Sequence, residues 1–110
     1  MEQRAIEWAV EALNDIDEVC ANAAQYDPAM AVRVAERIEE LVGPLRHHAF
    51  IGRMVPEYGD ENLRERLMLR EKYRILYRVK PDVVEIVGIF PALAPLPDEV
   101  QVEARIRPET

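Results

Sequence analysis

Basic side chains are concentrated in one short part of the chain, between residues 63 and 80. They are Arg64, Arg66, Arg70, Lys72, Arg74, Arg78 and Lys80. Guanidinium groups bind phosphates and carboxylates through paired hydrogen bonds, so this cluster could hold phosphate, an acidic peptide or the acidic groove of a protein. The alternative is that these charges are solvated, or are neutralised by Glu65, Glu71, Glu85 and the acidic tail.

Two predicted β-strands would position this cluster. Apolar and charged residues alternate from residue 63 and again from residue 73, which is the period of a strand. Glu71-Lys72 is the predicted turn between them, and a third, mostly apolar strand is predicted over residues 83–90. If the apolar side chains face the helices, five arginines share the opposite face. The apolar set is Leu67, Leu69, Tyr73, Ile75 and Tyr77, and the arginine set is Arg64, Arg66, Arg70, Arg74 and Arg78.

Two helices are predicted before these strands. Apolar residues recur on one helical face over residues 9–23, and a second stripe runs over residues 30–45. Between them, Asp27 is a suitable N-cap and Pro28 suits the first helical position. The predicted class is therefore α+β, with an N-terminal αα-hairpin packed on a twisted antiparallel sheet of three to four strands.

One domain with a tail is expected. Residues 1–94 form the predicted domain, in which residues 3–8 could start as an edge strand and residues 47–62 form a long connection. Residues 95–110 form a Pro-containing tail. Its alternating pattern suggests an edge strand, whereas Pro97-Asp98-Glu99 equally suggests the start of a short helix.

Composition excludes several kinds of function. No apolar run approaches the ~18 residues of a membrane span and no signal peptide is recognisable, so a cytoplasmic protein without membrane contact is expected. The net charge of −7 argues against a general nucleic-acid binder. His47 and His48 lack a third ligand at a suitable spacing, so neither a metal nor another cofactor is expected. Cys20 is interpreted as a core residue, and Asp15 as part of a solvated helix face.

Residues 52–79 have the sequence GRMVPEYGDENLRERLMLREKYRILYRV. This block resembles the "GR-x-VPE … LRE … YRI-x-YRV" block of the RelE/ParE toxin superfamily. The matching positions are Gly52, Arg53, Val55, Pro56, Glu57, Leu63, Arg64, Glu65, Tyr73, Arg74, Ile75, Tyr77 and Arg78. The helical hairpin before the block and the strand after it follow the order of that superfamily. The resemblance covers about residues 5 to 93.

This resemblance implies the toxin of a type II toxin–antitoxin system. Its partner is then a cognate antitoxin whose C-terminal segment folds as it wraps the toxin. The expected antitoxin-binding residues, on the hairpin and the sheet, are Leu13, Ile16, Val34, Ile38 and Tyr77. The expected target- or anion-binding residues are Arg53, Arg64, Arg66, Arg70, Arg74 and Arg78. Both a homodimer and a toxin–antitoxin heterotetramer fit the resemblance.

The two branches of the superfamily differ in chemistry. ParE-like members act on DNA gyrase by binding, whereas RelE-like members cut mRNA on the ribosome. Where such toxins often carry a His and, three residues later, an Arg, this chain has Phe90 and Leu93, which neither transfer a proton nor bind phosphate. We therefore favour the ParE-like branch and assign no catalytic residue. The alternatives are a metal-independent endoribonuclease, with Arg74 stabilising the transition state, and an attenuated toxin that retains only antitoxin binding.

Overall fold

The computed structural model describes residues 3–108 as a five-stranded sheet with helices on both faces. In chain order the elements are β1 (Ala5–Trp8), α1 (Val10–Tyr26), α2 (Pro28–Val42), a 3₁₀ turn (Gly43–Arg46), β2 (Arg53–Met54), β3 (Leu63–Met68), β4 (Tyr73–Val79), β5 (Val83–Pro91) and α3 (Glu99–Arg105). The sheet order is β1-β5-β4-β3-β2. All neighbouring strands are antiparallel except β1 and β5, which are parallel. The α+β class is confirmed, and the short edge strands β1 and β2 extend the sheet beyond the predicted three to four strands.

Asp27 and Pro28 define the helical hairpin. The backbone of Asp27 is extended, which ends α1, and its side chain accepts a hydrogen bond of 3.0 Å from the Ala29 N–H in the first turn of α2. Pro28 occupies the first helical position, where its missing N–H costs no hydrogen bond. At the other end of α2, Gly43 and Pro44 begin the 3₁₀ turn that follows the helix.

Each face of the sheet carries a separate apolar core. Ile75 and Tyr77 on β4 pack against the hairpin together with β5 residues such as Ile86, and we call this the hairpin core. The next side chain along β4 points the other way, so Leu76 belongs to a second cluster, the tail core. The tail core consists of Val55, Leu63, Leu76, Val87 and Val102, the last from α3. Both faces of the central strands are therefore covered.

The prediction that five arginines share one face is wrong. The pairing of β3 with β4 places Arg64 opposite Tyr77 and Arg66 opposite Ile75, and directly opposed residues share a face. Arg64 and Arg66 therefore lie on the hairpin side, together with the fully buried Met68. Leu67, which was expected on that side, lies opposite Arg74 on the tail side. A shift of one residue in the face assignment of a strand moves every one of its side chains to the other face.

The tail forms a helix rather than an edge strand. The Asp98 side chain accepts a hydrogen bond of 2.8 Å from the Gln101 N–H, and the Gln101 side chain accepts one of 3.0 Å from the Asp98 N–H. This reciprocal capping box stabilises the first turn of α3. No helix within residues 3–108 is long and apolar enough to cross a membrane.

Candidate functional site

Arg74 lies at the centre of a chain of ion pairs that we call the Arg74 network, consisting of Arg53, Glu57, Glu65 and Arg74. Its Nε donates to Oε1 of Glu65 at 2.6 Å. Its two terminal nitrogens donate to the two carboxylate oxygens of Glu57 at 2.7 and 2.9 Å, which is a bidentate pair. The second oxygen of Glu65 accepts from Nε of Arg53 at 2.6 Å. Two positive and two negative charges thus meet in one network.

The strand register builds this network. Glu65 pairs with Leu76 across β3 and β4, so its side chain lies diagonal to Arg74 on the same face. Arg53 on β2 lies directly opposite Glu65. Glu57 comes from the turn after β2 and reaches Arg74 from the solvent side. Glu65 and Arg74 are buried, whereas Arg53 and Glu57 lie at the surface and close the network toward solvent.

Glu57 and Arg74 are both charged at neutral pH. The hydrogen bonds from Arg74 lower the pKa of Glu57 from 4.5 to about 2, against the opposing effect of burial. The hydrogen bonds to Glu57 raise the pKa of Arg74 further above its ordinary value. Arg74 is therefore a permanent cation whose N–H groups already bind carboxylates. An anionic ligand at Arg74 would have to displace Glu57.

The other arginines of the predicted site are spread over separate surfaces. Arg78 pairs with Asp60 at 3.0 Å and with Glu103 of α3. The Arg64 guanidinium lies 4.9 Å from the centre of the Phe50 ring and donates to the Gly52 carbonyl at 3.0 Å. Arg66 donates to the Leu41 carbonyl. Pairing with acidic residues, the alternative left open by the sequence, thus describes Arg53, Arg74 and Arg78. A binding role for these arginines stays a prediction.

A cleft of about 330 Å³ lies beside the Arg74 network, and we call it the Arg74 cleft. It is lined by Arg53, Leu67, Met68, Leu69, Lys72, Tyr73, Arg74, Ala92 and Leu93. Leu93 is exposed at its rim, whereas Phe90 has its ring 4.8 Å below the Arg105 guanidinium. Lys72, in the turn between β3 and β4, has a positive φ of 65°. The lining is basic and apolar, and it contains no histidine or carboxylate that could act as a general base near neutral pH.

A second cleft, of about 510 Å³, lies between the helical hairpin and the turn from β3 to β4, and we call it the hairpin groove. Its lining residues are Val19, Asn22, Ala23, Tyr26, Met30, Arg33, Val34, Arg70, Glu71 and Tyr73. The floor is apolar, while Arg33, Arg70 and Glu71 supply charged groups at the rim. Tyr26 and Met30 are exposed although they are large and apolar. Such a surface is typical of a site that binds a partner.

The predicted antitoxin-binding residues divide into two groups. Leu13 is exposed, Ile16 is partly buried against the hairpin core, and Val34 contributes to the floor of the hairpin groove. Ile38 and Tyr77 are buried in the hairpin core rather than exposed to a partner, and their role in antitoxin binding stays a prediction. The apolar stripe of a helix marks the residues that pack inward, which is why it selected core residues.

Sequence reasoning missed two structural features. It did not identify Tyr26 and Arg33 as members of one groove, although an exposed aromatic residue next to the Asp27-Pro28 break was a usable signal. It also placed Asp15 on a solvated face. The Asp15 carboxylate instead accepts hydrogen bonds of 3.0 Å from the Ile89 N–H and from Arg105, and so covers the free edge of β5 beyond its pairing with β1.

Comparison with known proteins supports the resemblance in residues 52–79. A family model described as the ParE toxin of the type II toxin–antitoxin system parDE matches residues 6–93. No curated protein sequence matches the chain. A solved structure described as a chromosomal ParDE TA system from P. aeruginosa is similar in fold, with a TM-score of 0.69 and 23% sequence identity over 81% of this chain and 96% of that chain. Because the family match spans β1 to β5, the chain belongs to the ParE toxin family of type II toxin–antitoxin systems.

Proposed function

We propose that this chain is a toxin that acts by binding a protein target, DNA gyrase, and that a cognate antitoxin neutralises it. The observation that carries the non-catalytic mechanism is the state of Arg74, the residue a nuclease would use. Its guanidinium is buried and binds Glu57 and Glu65, so it has no free pair of N–H groups for a phosphate. The Arg74 cleft also contains no histidine or carboxylate, so it offers no general base with an ordinary pKa near neutrality for metal-independent RNA cleavage.

The hairpin groove is the proposed antitoxin site. Its apolar floor and exposed Met30 and Tyr26 suit a segment that presents apolar side chains at helical spacing. Arg33 and Arg70 at the rim suit carboxylates beside those apolar side chains. An amphipathic, acidic segment that folds on contact combines both requirements.

Induced expression tests whether the chain is toxic, and a translating extract distinguishes the proposed mechanism from the nuclease. We expect growth arrest when the chain is produced without antitoxin, and intact mRNA in a translating extract that receives the purified chain. Ribosome-dependent mRNA cleavage would contradict the non-catalytic mechanism. Normal growth despite folded, abundant protein would identify the chain as an attenuated toxin.

The antitoxin site is tested by Met30→Asp, which places a charge in the hairpin groove. Met30 is 38% exposed, so the substitution leaves the core intact while it opposes an acidic, apolar segment. We expect antitoxin affinity to fall by roughly tenfold or more, corresponding to at least about 1.4 kcal/mol. Val32→Asp is the matched control, because Val32 is 57% exposed on the same helix and does not line the groove. Equal effects of the two substitutions on antitoxin affinity would rule out this groove.

A further inference from the structure

The described part of the tail, residues 95–108, packs on the sheet but lies beyond the part of the chain that matches the family model. The family match ends at residue 93, and α3 begins at Glu99. The P. aeruginosa chain is matched over 96% of its length by 81% of this chain, so about a fifth of this chain has no counterpart in it. The tail side of the sheet nevertheless carries an apolar patch, in which Val55, Leu63, Leu76 and Val87 are all buried. The tail covers a surface that belongs to the toxin domain itself.

We propose that this surface is a helix-docking site which the tail occupies as an intramolecular strap. When the strap opens, the site accepts a partner's short amphipathic helix that carries a carboxylate. The proposal is independent of the target of the toxin and of the hairpin groove, because the tail core lies on the opposite face of the sheet from the hairpin.

The apolar part of the docking site is filled by few side chains of the tail. Val102 is the one residue of α3 that is fully buried, and Leu96 and Ile106 pack partly against the same cluster. Val100, two residues earlier, is 79% exposed. A seven-residue helix is too short to persist in water without such contacts. The apolar contacts of the strap therefore come from one buried valine and its two partly buried neighbours.

Charged groups hold the remainder of the strap. Glu103 binds Arg78 on β4, and Arg105 binds Asp15 on α1 at 3.0 Å. Arg107 pairs with Glu7 of β1 at 3.1 Å. Its backbone also contributes, since its N–H donates to the buried Glu85 and its carbonyl accepts from Lys80 at 2.8 Å. Several of these groups are near the surface, where ion pairs contribute little stability and are weakened by salt.

Opening of the strap would leave an apolar strip next to two cations. Leu76 and Val87 would lose their cover. Arg78 would keep Asp60 but lose Glu103, and Lys80 would keep Glu85 but lose the Arg107 carbonyl. The tail itself shows which chemistry fits this surface. It presents a capped helix in which the Val102 side chain points inward and the next residue, Glu103, supplies a carboxylate. A partner segment with the same pattern would satisfy the same groups.

Hydrogen exchange of the full chain tests whether the strap opens. We expect the amides of α3 to exchange at least tenfold faster than those of β4, because the strap opens without global unfolding. Equal protection of α3 and β4 would overturn the proposal, because it would mean that the tail opens only when the whole domain unfolds.

Binding in trans tests the docking site. The probe is a fluorescent peptide of residues 95–108, added to full-length Val102→Ala, in which the strap is loosened. We expect this variant to bind the peptide at least tenfold more tightly than the unchanged protein does, and the control Val100→Ala to behave as the unchanged protein. If Val102→Ala fails to fold, Glu103→Lys loosens the strap by repulsion from Arg78, with Glu18→Lys on the exposed side of α1 as its control. A folded variant with a freely exchanging α3 that does not bind the peptide would overturn the docking site.

Discussion

Glu65 is the residue that holds the arginines of the Arg74 network together. Its buried carboxylate accepts from both Arg53 and Arg74, so removing Arg74 leaves Glu57 without its partner and Glu65 paired with the surface residue Arg53 alone. Loss of one member of a buried pair costs about 3–5 kcal/mol. The substitution Arg74→Ala would therefore lower the stability of the whole domain, and relief of growth arrest by it would not identify a target-binding residue. Arg53→Ala is the better probe, because Arg53 is at the surface.

Glu57 makes part of the stability depend on pH. Its pKa is lowered to about 2 in the folded chain from 4.5, so its pairing with Arg74 contributes fully above pH 4.5 and is lost as pH falls through about 2. We expect Glu57→Gln to be less stable than the unchanged protein at pH 7, with the difference in unfolding free energy shrinking between pH 4.5 and 2. Urea unfolding at several pH values measures this difference. A difference that stays constant over that range would contradict the pairing, and the exposed Glu39→Gln serves as control.

Gly52 is required by a close approach between chain segments. A Cβ at this position would lie 2.5 Å from the Glu65 carbonyl oxygen and 2.5 Å from the Tyr77 hydroxyl, which accepts the Gly52 N–H. We expect Gly52→Ala to lower the free energy of unfolding by at least about 2 kcal/mol. Gly59→Ala is the control, because Gly59 has a positive φ of 63° but open space, so only about 1 kcal/mol of backbone strain is expected. Thermal or urea unfolding of both variants compares them, and a smaller loss for Gly52→Ala would refute the steric argument.

At the element scale, the hydrophobic periodicity and the capping residues predicted most helices and strands. They did not predict which side chains of β3 face the helical hairpin. The predicted helices and strands correspond to α1, α2, β3, β4 and β5. The facing failed because β3 is apolar on both sides: Met68 packs in the hairpin core, while Leu63 packs in the tail core. Sequence left the tail undecided between strand and helix. It therefore gave no sign of a second core, and alternation alone could not show which side of β3 meets the hairpin.

One capping residue, Asp27, lies at the junction of the two helices of the hairpin. Asp27 both ends α1 and caps α2, so we expect Asp27→Ala to lower the unfolding free energy by about 1 kcal/mol. Asp17→Ala, on the exposed side of α1, should change it by less than about 0.5 kcal/mol. Urea unfolding of the two variants provides the comparison, and equal losses would mean that the cap does not stabilise the hairpin.

At the scale of the whole molecule, the candidate site was only partly predictable from sequence. The resemblance in residues 52–79 indicated the family, which the match over residues 6–93 confirms. The arginines in that block were read as one surface, yet the fold directs Arg64 and Arg66 to one side and Arg74 and Arg78 to the other. The carboxylates that pair with Arg74 and Arg78 include Glu57, Asp60 and Glu103, which lie in a turn, a loop and the tail. Such long-range pairing leaves no periodic signal in a sequence.

The most direct test of the proposed function is DNA supercoiling by purified gyrase in the presence of increasing amounts of the purified, folded chain. A toxin that acts by binding must be present in amounts comparable to its target, because it does not turn over. We therefore expect supercoiling to fall as the chain approaches the molar amount of gyrase, and to recover when antitoxin is added. Full supercoiling at a large molar excess of folded chain would contradict the account.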